Sequence, residues 1–118
     1  LLVDDDKDDR EMFAEAMAEV DASAQLTCLE DGVSLLDFLM QAKQDPHMIF
    51  LDLNMPHKNG KECLNEIRKC GRFDHVAVII YSTSSSPKDV EDTFSKGANL
   101  YICKPSSYKE LKMLIRMI

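Results

Sequence analysis

Ile49-Phe50-Leu51-Asp52-Leu53-Asn54-Met55-Pro56 decides how this chain folds. The run from Met48 to Leu53 is short and apolar, carries one acid near its end, and is stopped by a proline. A continuous apolar run of this length suits a strand covered on both faces, as in a parallel sheet. Asp52 then sits where the strand runs out. In open α/β sheets, ligands bind outside the carboxyl ends of the strands.

Three other apolar runs end on polar residues in the same way. Leu1-Leu2-Val3 leads into Asp4, Asp5 and Asp6; Val76 to Tyr81 leads into Ser82-Thr83-Ser84-Ser85-Ser86; Leu100 to Cys103 leads into Lys104-Pro105. If these strands are parallel, one edge of the sheet gathers carboxylates, hydroxyls and one ammonium. That collection suits a divalent cation and a phosphoryl group.

The remaining segments supply the crossovers. Asp8 with Glu11 resembles a capping box and predicts a helix start there, with Phe13, Ala16, Met17 and Val20 as its apolar stripe. Gln25 to Leu29 reads as a short strand. Asp31 is the expected N-cap of a second helix with Val33, Leu36, Leu39 and Met40 inward. After the polar turn His57-Lys58-Asn59-Gly60, a third helix carries Cys63, Leu64 and Ile67. Ser86-Pro87 opens a fourth helix that has only Val90 and Phe94 to anchor it, so it is a candidate for movement. Asn99 to Cys103 is the last strand. Ser107 with Glu110 caps a fifth helix whose core face is Leu111, Leu114, Ile115 and Ile118. Five alternations of strand and helix predict an α/β fold, a doubly wound five-stranded parallel sheet with five helices.

At 118 residues this is one domain, 1–118, with room for a single core. Fourteen Lys+Arg against 21 Asp+Glu leave a net charge of −7, which argues against direct nucleic-acid binding. No apolar stretch approaches the ~20 residues needed to span a bilayer, and no signal peptide is visible. Cys28, Cys63, Cys70 and Cys103 show no C-x-x-C pairing and read as small buried thiols in a reducing, cytoplasmic compartment. The chain opens inside a strand, which implies that a few residues precede Leu1, and a downstream domain is compatible with it.

Asp52 is the central candidate, because an aspartate carboxylate can attack a phosphoryl donor and form an acyl phosphate. Asp4 and Asp5 would lie on the neighbouring strand, and three carboxylates brought together repel unless a cation sits between them. Mg²⁺, which takes oxygens at about 2.1 Å, is the expected ion. Asp6, Asp8 and Asp9 read instead as a solvated helix start. Ser82 and Thr83 offer hydroxyls to a phosphoryl oxygen. Lys104 is a charge directly after an apolar strand, where it can neutralise Asp52 or its phosphate, and a cis Lys104–Pro105 bond would aim it inward. Tyr101 is a strand aromatic that can swing between solvent and interior. His47, His57 and His75 lack ligand spacing.

With these pieces in this order, the chain resembles a response-regulator receiver domain, the chemotaxis-regulator-like phospho-acceptor module of two-component signalling. The resemblance covers essentially the whole chain and rests on Asp4-Asp5, Asp52-Leu53-Asn54-Met55-Pro56, Ser82-Thr83 and Lys104-Pro105. The runs Leu1 to Lys7 and Tyr81 to Ser84 look like the small receivers found beside phytochrome-type and related hybrid kinases. The resemblance implies a flavodoxin-like strand order 2-1-3-4-5. It implies that Asp52 accepts phosphate from a sensor histidine kinase or phosphotransfer protein. It further implies that Asp4, Asp5, Asp52 and the backbone carbonyl of Asn54 hold Mg²⁺, that Ser82 and Tyr101 are switch residues, and that Lys104 is the family's lysine. The expected output surface is the face of the fourth helix, fifth strand and fifth helix, which could also form a homodimer. Beyond self-catalysed phosphoryl transfer and autodephosphorylation, no enzyme activity is expected. Thr83 departs from the small residue common at its position and would narrow access for a hydrolytic water.

Two other classes compete. A degenerate receiver would act only as a protein-interaction module, but here all the site residues are present. A Mg²⁺-dependent phosphohydrolase of the haloacid-dehalogenase type wants a second acid where Asn54 stands, and there is no room for a cap domain.

Overall fold

The computed structural model describes residues 1–118. Five parallel strands, β1 (Leu2–Val3), β2 (Cys28–Leu29), β3 (Met48–Leu51), β4 (Ala77–Ser82) and β5 (Leu100–Cys103), alternate with five helices. These are α1 (Lys7–Val20), α2 (Leu35–Gln41), α3 (Gly60–Cys70), α4 (Pro87–Ser95) and α5 (Tyr108–Met117). The strand order is β2-β1-β3-β4-β5, so the order reverses beside β1. This is the doubly wound arrangement that the strand and helix alternation implies.

The strands show why they are apolar throughout. Side chains alternate across a strand, so each strand feeds two cores. Val3, Ile49, Leu51, Val78 and Ile80 point to one face, where they meet Leu35 and Leu39 of α2 and Leu64 and Ile67 of α3. Leu2, Phe50, Ile79 and Tyr81 point to the other and meet Phe13 and Ala16 of α1 and Leu111 and Ile115 of α5. The Phe13 ring packs between Phe50 and Tyr81, with centroids 4.8 and 5.4 Å away. α1 and α5 are also tied at the surface, where Glu19 accepts from the Tyr108 hydroxyl and pairs with Lys112.

Several local expectations are corrected. α1 begins at Lys7, because Asp6 rather than Asp8 caps it by accepting from the Asp9 amide. β2 is Cys28–Leu29, shorter than Gln25 to Leu29, since only these residues pair with β1. Asp31 caps no helix; it accepts from the Val33 amide in a turn, and α2 starts after Ser34. The inward stripe of α2 is therefore Leu35 and Leu39, while Val33 and Met40 are exposed. On α5, Leu111 and Ile115 are buried, Leu114 is half-buried and Ile118 is exposed. Of the four cysteines only Cys63 is buried, because Cys28 and Cys103 lie on the two edge strands and Cys70 ends a helix. The chain has no cis peptide bond, so Lys104 is aimed inward with a trans Lys104–Pro105 bond. No helix is long and apolar enough to cross a membrane.

Candidate functional site

The sheet's hydrogen bonds place the two central acids side by side. The Asp4 amide donates to Leu29 O (3.1 Å), and the Asp52 amide donates to Val3 O (3.0 Å). Asp4 thus follows β1 and Asp52 follows β3 at the point where the strand order reverses. Gly60 lets α3 start directly beneath this edge. Its amide donates to Leu53 O (2.9 Å), and a Cβ on it would lie 2.2 Å from the Asp52 carbonyl oxygen. Asn59 and Glu62 fix the start of α3 in a reciprocal capping box.

Asp4 is fully buried and Asp52 nearly so, while Asp5 is exposed. One carboxylate oxygen from each of Asp4, Asp5 and Asp52 lies within 4.8 Å of the others. Asp4 Oδ1 accepts from the Asp6 amide (3.0 Å), but buried Asp4 Oδ2 accepts no hydrogen bond. The Lys104 ammonium is 2.9 Å from that oxygen, close enough for charge attraction but out of line for a hydrogen bond. A buried, unbonded carboxylate oxygen facing two other carboxylates is the donor set of a hard divalent cation. Neighbouring oxygens on an octahedral Mg²⁺ stand about 3 Å apart and only opposite ones about 4.2 Å, so these three would draw closer together to share one. Burial pushes the Asp52 carboxyl up to about 6; Lys104 opposes that shift and the Asp4 charge adds to it.

Lys104 reaches the rim from the end of β5, where its amide donates to Ser82 O (2.7 Å). Its Nζ is 2.7 Å from Asp9 Oδ2 and 3.5 Å from Asp52 Oδ2. Burial favours loss of its proton, but the close contacts with Asp9 and Asp4 and the Asp52 charge outweigh this and raise its pKa. Ser82 is fully buried at the end of β4, and its Oγ accepts from the Ser84 amide (3.2 Å). Thr83 is exposed. Half-buried Tyr101 donates its hydroxyl to Ser84 O (2.8 Å). Exposed Asn54 lines a small polar cavity of about 150 Å³ with Leu53, Asn59, Lys61 and Asp89. A larger cavity, about 1130 Å³ and lined by Leu1, His47 and Met48 among others, contains none of the candidate residues.

The structure therefore gathers Asp4, Asp5, Asp52 and Lys104 directly and sets the Ser82–Ser84 loop and Tyr101 against each other. Asp9 is the residue that sequence reasoning misplaced. Capping by Asp6 uses the Asp9 amide and leaves its carboxylate free to meet Lys104. The Asp6-x-x-Asp9 spacing was the available signal. A second missed feature ties the loop to two helices. Ser84 Oγ donates to Asp89 Oδ2 (2.5 Å), and Lys61 of α3 pairs with Asp89 and Asp92 of α4 at 2.7 and 3.1 Å. A third is Arg10, whose guanidinium donates to the Asp4 carbonyl (2.8 Å) and steadies the turn.

A five-stranded doubly wound sheet with acids at its switch point and one lysine reaching them from the end of β5 defines a class of α/β modules that bind ligands at the carboxyl ends of their strands. The chain belongs to the response regulator receiver domain family, whose model matches residues 1–116. It is 31% identical over 123 residues to Response regulator Rcp1 of Synechocystis sp., a match that covers 100% of this chain and 84% of that protein. Among solved structures it resembles the phosphorylated cyanobacterial phytochrome response regulator RcpA. That match has a TM-score of 0.90 and 29% identity, over 98% of this chain and 86% of that one. It also resembles the Mn²⁺-bound form of Rcp1, with a TM-score of 0.84 and 29% identity, over 99% of this chain and 88% of that one. The phytochrome-associated likeness drawn from the sequence is matched by these relatives.

Proposed function

We propose that this chain is a working phospho-acceptor receiver, with Asp52 as the residue modified. The observation that carries the reading is the buried Asp52 carboxylate held beside the unbonded Asp4 Oδ2 and within 3.5 Å of the Lys104 ammonium. The donor is the phosphohistidine of a sensor kinase or of a phosphotransfer protein. An Asp52 oxygen forms the new P–O bond as the P–N bond of the donor breaks, and the imidazole takes up a proton as it leaves. Asp4, Asp5, Asp52 and the Asn54 carbonyl are the residues that would hold Mg²⁺. That the similar Rcp1 has an Mn²⁺-bound form supports divalent-ion binding by this chain. When bound, the ion supplies charge neutralisation for the incoming phosphoryl oxygens.

Lys104 offers its ammonium to the same oxygens. Ser82 lies at the end of the adjacent strand, where its hydroxyl can turn from the Ser84 amide to a phosphoryl oxygen. The Ser84 carbonyl is already tied to Tyr101, so movement of the loop and of the ring are linked. Thr83, exposed next to Ser82, is the residue that would narrow the approach of a hydrolytic water. One charge-assisted hydrogen bond contributes only about 1.5–3 kcal/mol, whereas moving a population from mostly off to mostly on needs about 5.5. Ser82, Lys104 and the ion must therefore act together. The readout is the face formed by α4, β5 and α5, and a second copy of the chain is its proposed occupant.

The test is incubation with Mg²⁺ and acetyl phosphate, followed by intact mass. Wild type should gain one phosphoryl group and Asp52→Asn none. A full mass gain in Asp52→Asn would show that the acceptor lies elsewhere. Lys104→Ala should keep the fold while uncoupling modification from the change at the α4–β5–α5 face.

A further inference from the structure

Lys104 is the cation paired with the rim carboxylates, whereas Arg10 pairs with Glu30, and the closest partner of Lys104 is not one of the residues assigned above. The Asp9 carboxylate is 2.7 Å from Nζ, against 2.9 Å for Asp4 and 3.5 Å for Asp52. The Asp9 contact is a short hydrogen bond, the one to Asp52 is stretched to 3.5 Å, and the Asp4 contact is an ion pair without a hydrogen bond. Asp9 differs in exposure too. Its side chain is 28% exposed, whereas those of Asp4 and Asp52 are 0% and 6%. Water can therefore replace Lys104 at Asp9 at small cost, but not at the two buried acids. The helix start does not need this carboxylate, because the Asp9 amide makes the capping bond to Asp6.

We infer that Asp9 is a positioning residue: it holds the Lys104 ammonium away from Asp52 until a phosphoryl group draws it across. This rests on the reading that Lys104 serves a phosphoryl group on Asp52. Two consequences of opposite sign follow. Asp9 competes with an anionic phosphoryl group for the ammonium, so it disfavours the modified state. It also occupies the ammonium while Asp52 is unmodified, which leaves the Asp4 and Asp52 oxygens freer to take a divalent cation. A residue that merely supported the local fold would affect both ligands in the same direction.

The test uses Asp9→Asn, nearly the same shape without the charge. Calorimetric titrations would measure Mg²⁺ binding first, and then beryllium fluoride binding at saturating Mg²⁺. The expected outcome is about three- to tenfold weaker Mg²⁺ binding and a tightening of beryllium fluoride by a similar factor. In a Lys104→Met background the Asp9→Asn effect on Mg²⁺ should shrink to under about twofold, since only long-range charge then remains. Weakening of both ligands in Asp9→Asn, no change in either, or the same Mg²⁺ effect in both backgrounds would overturn the inference. Asp9→Ser, checked by its thermal melt, serves if Asp9→Asn is unfolded. Wild type that takes no beryllium fluoride with Mg²⁺ would sink the functional reading and this inference with it. Normal wild-type binding with an unaltered Asp9→Asn would sink the inference alone.

Discussion

Asp52 is a carboxylate in a place that resists its charge. Burial and the Asp4 charge raise its pKa from 3.8 to about 6, even though Lys104 pulls the other way. The sign of the effect on stability follows. A folded-state pKa above the unfolded value means the folded state holds its proton more tightly. The resulting stabilisation is complete below pH 3.8 and is lost as pH rises through about 6. Metal-free protein at pH 7 therefore carries an ionised Asp52 at a cost, and Asp52→Asn should remove it. Metal-free Asp52→Asn is expected to be about 1–2 kcal/mol more stable than wild type at pH 7, discounted for partial solvation. The gap should close near pH 4, and saturating Mg²⁺ should narrow or invert it. Urea denaturation at the two pH values, with and without Mg²⁺, reads this directly. Equal midpoints under all conditions would mean that Asp52 does not feel its neighbours.

At the scale of the element, α3 and α4 meet the site in different ways. α3 is fixed hard against it. Gly60 leaves no room for a side chain, since a Cβ would meet the Asp52 carbonyl oxygen at 2.2 Å. Gly60→Ala should cost about 2–4 kcal/mol and displace Asp52, which denaturation and loss of acetyl phosphate labelling would show together. α4 is held lightly, with Thr93 its one buried residue. Its ties to the rest are the Lys61 pairs with Asp89 and Asp92 and the Ser84 hydroxyl on Asp89. Partly exposed pairs of this kind, still in reach of water, contribute about 1 kcal/mol or less to global stability. Lys61→Met should therefore leave the melting temperature nearly unchanged while amide exchange in α4 speeds up several-fold. Unchanged exchange would mean that the salt bridges do not hold the helix. These elements also show what the sequence made legible. Apolar runs ending in Asp4, Asp52, Ser82 and Lys104 were enough to read the sheet edge, because side-chain period and strand ends are local properties. The weak anchoring of α4 was legible for the same reason, but its anchors were not: Thr93 is its buried residue, Val90 is half-buried and Phe94 is exposed. The partner of Lys104 was not, because Asp9 reaches it across 95 positions of chain, through a rotation of α1 set by a cap two residues earlier than expected. Val33 and Met40 were misread likewise. Where α2 begins decides which residues face inward, and a turn at Asp31 moved that point.

At the scale of the whole molecule, if the α4–β5–α5 face is the proposed output surface, the acidic rim must be joined to it for a signal to leave the site. The join visible here runs from Ser82 through the Ser84 carbonyl to the Tyr101 hydroxyl and so to β5. β5 is an edge strand, and Phe94, Leu100 and Met113 on α4, β5 and α5 are 46%, 48% and 52% exposed. Large apolar side chains left open on three successive elements lower the cost of covering that face with another surface. A second copy of the chain would do so by a two-fold contact, which places each Leu100 near the shared interface. With beryllium fluoride and Mg²⁺ bound, sedimentation velocity should show wild type shifting toward a dimer. Leu100→Lys would bring like charges together and should weaken that dimer at least about tenfold, with the affinity for beryllium fluoride little changed. Tyr101→Phe keeps the apolar face but cuts the hydroxyl's link to Ser84, so it should bind the analogue normally and dimerise less. If wild type stays monomeric with the analogue bound, a second copy is the wrong occupant. If Tyr101→Phe dimerises as wild type does, the route from site to face does not pass through that hydroxyl.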